Sequence, residues 1–251
     1  MFNFFSKQGP DTSGRFYITD SDFNHICNVL RMKKGDEILV SFDGKSHLCV
    51  LEEFSEEAVS ALITQQDYRD TELSVKIHLF QGLPKSDKLE LIIQKCTELG
   101  VNEITPVEMR NCVVRLEDKK KKNKTERWQS IAESAAKQSK RNIIPTVNTP
   151  LPLKLLAERV KDFDLFLVPY ENEEGMRATK SALCEIKNGS TVGILIGPEG
   201  GFDESEIEAM IQAGARVISL GRRILRTETA AITAVFACML YCETEFEDDT
   251  K

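Results

Sequence analysis

The 251-residue chain predicts an α/β protein in which a small β-rich module precedes a larger domain built on a mostly parallel sheet. Three observations carry this expectation. Between residues 15 and 66, short apolar or alternating runs are divided by turn signals; from Val75 onward, apolar strands alternate with amphipathic helices; and two late apolar runs end in glycine-bearing turns that each open a helix. Alternation of this kind puts helices on both faces of a parallel sheet, whose strands are then apolar on both sides.

The elements follow in order. The runs Arg15–Ile18, Asp36–Val40, Ser46–Val50 and Ala58–Ile63 read as strands, with one short helix near Asp20 to Arg31 between the first two. Asp43-Gly44 separates the second and third strands and is a strong hairpin signal, because both residues tolerate positive φ. The polar stretch Gln65–Glu72 is expected to close this module and link it to the next, giving domains 1–70 and 71–251. Val75–Phe80 is the first strand of the larger domain, and Ser86–Leu99 is a helix started by Asp87 and Glu90 and stopped by Gly100 in a left-handed conformation. Glu103–Glu108 is a strand, and Thr125–Lys140 a helix with Trp128, Ile131 and Ala135 on one face. Asp164–Val168 and Thr191–Ile196 read as buried strands, Asp203 and Glu206 cap the helix after the second of these, and a final helix from Thr227 to about Thr244 packs Ile232, Val235, Phe236 and Met239.

Composition excludes several classes. Seven cysteines, scattered and without a C-x-x-C pair, argue against a disulfide framework or zinc site and fit a reducing cytoplasm. His25, His47 and His78 lack ligand spacing, and Cys238 with Cys242 reads as core, so no metal is expected. No segment approaches the roughly 18 apolar residues of a membrane span, and the N-terminus has no cationic region before an apolar one. Net charge is −7, yet it is segregated: from Arg115 to Arg141 ten Lys/Arg face four Asp/Glu. The run Lys119–Lys124 reads as a loop that joins Arg127 and the Gln138–Arg141 end of the helix into a basic face able to neutralise phosphates, while the acidic stretch Glu243–Asp249 reads as a solvated tail.

The chemistry concentrates in two segments, Ile194–Glu206 and Leu220–Ala230. Glycines at strand ends let backbone N–H groups approach a ligand, and two such turns meeting at the ends of one sheet make a backbone-lined pocket for a nucleotide-like molecule. The spacing is neither G-x-G-x-x-G nor G-K-[ST], which disfavours pyrophosphate. Arg226, directly before a helix start that Thr227 is expected to cap, projects its charge toward whatever the turn holds.

Ile196-Gly-Pro-Glu-Gly-Gly-Phe202 with Leu220-Gly-Arg-Arg-Ile-Leu-Arg-Thr-Glu-Thr-Ala230 resembles the signature pair of the RsmE family, the 16S ribosomal RNA (uracil-N3)-methyltransferases of the SPOUT class. Lys85-Ser-Asp-Lys88 through Gly100, Arg127-Trp128 with Ala135–Arg141, and His25 through Gly35-Asp36 are similar to further family motifs, so the resemblance spans nearly the whole chain. It implies a SPOUT-type sheet with a C-terminal trefoil knot, a small PUA-like β-barrel domain, a homodimer in the cytoplasm, and 16S rRNA of the small ribosomal subunit as partner. It implies S-adenosylmethionine as methyl donor, held by Ile196, Gly197, Glu199, Gly200 and Gly201 on one wall and Leu220, Gly221, Ile224, Leu225 and Thr229 on the other. The catalytic candidates are Arg226, for charge developing on the base, and Glu228, for the N3 proton; Arg31, Lys85, Lys88, Arg110, Arg127 and Arg141 are the candidate phosphate contacts. A non-catalytic RNA-binding module, a nicotinamide-dependent oxidoreductase and a SPOUT enzyme acting elsewhere on RNA are the competing readings.

Overall fold

The computed structural model describes residues 1–171 and 175–246. They form two compact units, one of residues 1–72 with 136–144 and one of 73–135 with the described residues from 145 to 246.

The first unit is a curled five-stranded sheet. Its strands are β1 (Phe2–Phe5), β2 (Arg15–Thr19), β3 (Glu37–Phe42), β4 (Lys45–Phe54) and β5 (Ala58–Arg69), in the order β1-β3-β4-β5-β2. The Asp43-Gly44 hairpin forms as expected, with φ of +49° and +75° and Phe42 paired to Lys45. The short helix α1 (Asp20–Asn24) continues into one π-helical turn, His25–Val29, that seats Ile26 in the core. Phe4, Phe16, Ile38, Val40, Leu51 and Val59 fill that core. Three register shifts along the β4–β5 pair bend the sheet, but among the described residues β2 does not pair with β1, so the sheet curls without closing.

Two features of this unit depart from the expectations above. β1 pairs in parallel with β3, and Gln65–Arg69, expected as link, is the end of β5. The unit is also completed from far along the chain. The buried Arg141 side chain lies on the Glu72 carboxylate, which also accepts from the N–H groups of Asn142 and Ile143 (2.8 and 3.2 Å). Asn3 Nδ2 donates to the Arg141 carbonyl at 2.9 Å. The contiguous spans 1–70 and 71–251 do not include this exchange of segments.

The second unit is the parallel α/β domain. Its elements are β6 (Lys76–Gly82), α2 (Lys88–Glu98), β7 (Glu103–Glu108), α3 (Asp118–Ser139), β8 (Thr146–Val147), β9 (Leu151–Pro152), α4 (Leu153–Arg159), β10 (Leu165–Pro169), α5 (Arg177–Leu183), β11 (Thr191–Ile196), α6 (Glu204–Gln212), β12 (Arg216–Ile218) and α7 (Thr227–Glu245). The last turn of α3 is counted with the first unit. Strand order is β12-β10-β11-β6-β7-β8, with β9 also on β7, and every pairing is parallel. Ile77, Leu79, Phe80, Ile92, Ile93, Ile104, Val168, Ile194 and Leu195 are buried around the sheet, each worth about 1.5–3 kcal/mol of apolar transfer.

Helix ends refine the expectations. Gly100 stops α2 at φ +92°, but Asp87 starts it through its backbone carbonyl, which accepts from Glu90 N (3.0 Å), with no side-chain cap. The lysine run is helical: α3 begins at Asp118, and Lys119 to Lys124 are its first turns, consistent with the good helix propensity of lysine. On α7 the buried face is Thr227, Ala231, Ala234, Val235, Cys238 and Cys242, whereas Phe236, expected in the core, is 43% exposed. Of the acidic C-terminal stretch, Glu247 to Asp249 lie outside the described residues. Among the described residues, no helix is long and apolar enough to cross a membrane.

Candidate active site

The first glycine turn follows β11 and is braced from three sides. Asp203 caps α6 through a capping box: its Oδ1 accepts from Ser205 N at 3.1 Å, and its own N–H donates to Glu206 Oε2 at 3.0 Å. From the loop after β7, Arg110 donates its N–H to Glu206 Oε1 (2.7 Å) and its guanidinium to Asp203 Oδ2 (2.8 Å), while Asn111 Nδ2 donates to the Gly200 and Gly201 carbonyls (3.1 and 3.3 Å). From the start of α2, Lys85 N and Lys88 Nζ donate to Glu199 Oε1 at 3.0 and 2.9 Å. Partial burial works to raise the Glu199 pKa, yet the hydrogen bonds from Lys88 and Lys85 outweigh it and hold the carboxyl below its ordinary value. The same hydrogen bond raises the Lys88 pKa.

The second turn, after β12, is held more sparsely. Thr179 Oγ1 donates to the Ser219 carbonyl at 2.6 Å, Gly221 N donates to Ser219 Oγ at 3.2 Å, and Gly221 adopts φ +111°, open only to glycine at little cost. Beyond it, Arg222, Arg223 and Arg226 make no side-chain hydrogen bond or ion pair with another described residue, and Ile224 is 84% exposed.

β11 and β12 are not neighbours, since β10 lies between them, so the two turns meet for another reason. The chain after Leu220 returns to the end of β11, where Thr227 Oγ1 donates to the Gly197 carbonyl at 2.6 Å. Thr227 is therefore the first helical residue and a tie between the turns; Arg226 occupies the cap position, without a side-chain cap bond. Lys88 forms a second tie, its Nζ 2.9 Å from Glu199 and 3.6 Å from Glu228 Oε2. That Glu228 oxygen is buried and, with Lys88 just beyond hydrogen-bond distance, it receives no hydrogen bond.

Sequence-predicted residues thus divide. Ile196, Gly197, Glu199, Gly200 and Gly201 lie in the first turn, and Leu220, Gly221, Ile224, Leu225, Arg226, Glu228 and Thr229 in the second turn and the start of α7. Lys85, Arg110 and Arg127 are exposed in the same unit, Arg127 with its guanidinium 2.9 Å from Glu90. Lys88, expected on phosphate, is committed to two carboxylates. Arg141, also expected on phosphate, is 2% exposed and belongs to the Glu72 ion pair, because a guanidinium buried at that depth needs a carboxylate. Arg31 is exposed in the first unit at φ +53°. Sequence reading missed Asn111 and Gln81 as supports of the turns; neither carries a local pattern that distinguishes it.

Comparison with known proteins decides the family. A family model described as an RNA methyltransferase domain matches residues 71–239, and one described as an RNA methyltransferase PUA domain matches residues 18–64. Ribosomal RNA small subunit methyltransferase E of Bacillus subtilis (strain 168) is 42% identical over 236 residues, covering 92% of each protein. The chain belongs to the RsmE family of RNA methyltransferases. Its RsmE relative from Mesomycoplasma hyopneumoniae (strain 232) is 35% identical across 95% of this chain and 99% of its own. Among solved structures, RsmE of Neisseria gonorrhoeae bound to S-adenosyl methionine superposes with a TM-score of 0.82 at 29% identity, covering 96% of this chain and 97% of that one. A Legionella pneumophila methyltransferase in complex with the same cofactor gives 0.81 at 29% identity, over 95% and 96%. The mostly parallel SPOUT-type sheet and the PUA-like module expected from sequence are both borne out. The oxidoreductase reading falls with them.

Proposed function

We propose that this RsmE-family protein transfers the methyl group of S-adenosylmethionine to N3 of a uridine in 16S rRNA of the small ribosomal subunit. The observation that carries the reading is the meeting of the two glycine turns at Thr227–Gly197 and Lys88, where α7 starts with Arg226 at its cap position and Glu228 in its first turn. The residues fit the cofactor: Gly200, Gly201 and Gly221 carry no side chain to keep a ligand from the backbone, and Leu220, Ile224 and Leu225 offer apolar contact for its adenine. Bound there, the cofactor supplies a methyl group on a positively charged sulfur, open to attack from the side opposite the sulfur.

Uracil N3 carries a proton at neutral pH, and its removal spreads negative charge onto O2 and O4. Glu228, its Oε2 3.6 Å from Lys88 Nζ, accepts that proton, directly or through a water. Arg226 stabilises the charge left on the base, and the first-turn N–H groups of α7 add the positive end of a helix dipole. Lys85 and Arg127, with the exposed lysines of α3, hold flanking phosphates while the base leaves its stack, at a cost of a few kcal/mol; Arg31 in the first unit offers a contact of its own, and Arg110 reaches phosphate only by leaving Asp203.

Two further parts of the reading rest on family resemblance and on exposed surface. The C-terminal domain is a trefoil knot, and the enzyme works in the cytoplasm as a homodimer; Phe236 and Leu240 of α7 and Leu91 of α2, each more than 40% exposed, support such an interface. The test of the whole reading is incubation with labelled S-adenosylmethionine and small subunits that lack the modification. The expected outcome is N3-methyluridine in 16S rRNA. Label on a 2′-hydroxyl or on another RNA overturns the assignment, and RNA binding without incorporation makes the protein a non-catalytic binder.

A further inference from the structure

A fully buried glutamine stands near the end of β6, between β11 and β7 in the sheet of the second unit. Gln81, between Phe80 and Gly82, is 0% exposed in a sheet whose interior is mostly apolar. A polar group at that depth costs stability unless its hydrogen bonds are made. Its Nε2 protons are used, 2.9 Å to the Gly82 carbonyl and 2.8 Å to Thr227 Oγ1, with the Gly197 carbonyl at 3.4 Å, while Oε1 is buried without a hydrogen-bond partner among the described residues. The orientation of the amide is set by these partners, because the reverse would press Oε1 against two carbonyl oxygens.

The bond to Thr227 has a directional consequence. Thr227 Oγ1 accepts from Gln81, so its single proton is left for the Gly197 carbonyl, 2.6 Å away. A three-group relay, amide to hydroxyl to carbonyl, thereby joins the end of β6, the start of α7 and the first glycine turn. Gly82 reinforces the junction: a Cβ there would lie 2.6 Å from Pro198 N and 2.9 Å from Met109 Sδ, so β6 and the first turn are in direct backbone contact.

We propose that Gln81 is a positioning residue for cofactor binding: through Thr227 it fixes the separation and orientation of the two turns before the cofactor arrives. The inference rests on the placement of S-adenosylmethionine between those turns. Preorganisation of this kind lowers the ordering cost of binding, so its loss acts on cofactor affinity more than on the chemical step.

The test compares Gln81→Leu, which removes the donor at similar volume, Thr227→Val, which removes only the hydroxyl, and the double variant, with full-length protein. Each single variant is expected to raise the KM and Kd for S-adenosylmethionine about tenfold, or 1.4 kcal/mol, with a smaller fall in kcat and an unchanged KM for the RNA substrate. The double variant loses no more than the worse single one, since the relay acts as a unit, and Thr227→Ser recovers affinity relative to Thr227→Val. Unchanged cofactor affinity in folded Thr227→Val, or losses that add in the double variant, overturns the proposal. Leu225→Ala separates the two levels: if it weakens cofactor binding while the relay variants do not, only this inference falls, and if it has no effect, the cofactor placement falls and takes the inference with it.

Discussion

The two glycine turns are built to opposite standards. The first is clamped by a capping box, by Arg110 and Asn111 from the β7 loop, and by Lys85 and Lys88 from α2. Among the described residues the second, from Leu220 to Arg226, is anchored at its ends, through Ser219 with Thr179 and Gly221 and through Thr227 with Gly197, and Ile224 and the arginines stand between. The difference teaches how a site of this kind divides its labour: one wall is set by the fold in advance, and the other keeps its side chains uncommitted for ligand and RNA. Mutations in the first wall should therefore act on stability and cofactor affinity together, and those of the second wall's arginines on turnover without loss of stability.

The sharpest contrast comes from Arg226→Ala. Its side chain bonds to no described residue, so the melting temperature should hold while kcat at saturating RNA drops by roughly 10²–10³-fold; lost RNA affinity with full turnover would refute the charge-stabilising role. Gly82→Ala tests the braced wall directly. Its Cβ meets backbone at 2.6 Å, which is expected to cost about 1–3 kcal/mol in a thermal or denaturant melt and to weaken cofactor binding as Pro198 moves. Asp203→Ala removes the cap of α6 and a partner of Arg110, and should lower the denaturant midpoint by the equivalent of about 1 kcal/mol.

The smallest effect is one of pH. Because the folded-state pKa of Glu199 lies below its ordinary 4.5, its contribution to stability is complete above that value and is lost as pH falls through the folded pKa. The gap in melting temperature between the wild type and Glu199→Gln, under about 1 kcal/mol for so accessible a pair, should be full at neutral pH and close in acid. A gap that widened on acidification would reverse the sign of the Lys88 interaction.

Local signals were legible in the sequence, and long-range ones were not. The β7 and β11 bounds, the Asp43-Gly44 hairpin, the Asp203–Glu206 cap and the Gly100 stop all follow from a few adjacent residues, and the structure places them as read. β1 was missed because Phe-Asn-Phe-Phe carries no turn signal and finds its parallel partner at residues 38–41. Helical spacing predicts Phe236 in the core because it gives a face without saying which face the sheet covers. The roles of Thr227 and Arg141 escaped for the same reason. A threonine at a helix start reads as a cap until its hydroxyl is found on Gly197, and an arginine in a basic run reads as exposed until Glu72 is found beside it.

The Arg141–Glu72 pair also bears on the order of events during synthesis. Its partners are 69 residues apart, and at about 5–20 residues per second a ribosome takes roughly 3–14 s to travel that distance. For that interval the nascent N-terminal sheet carries an unmatched carboxylate and open N–H groups at Asn3, and it reaches its final stability only once the far segment has emerged. The N-terminal module is thus first in the sequence but not first to be finished. A fragment ending at Glu72 lacks the residues that close it.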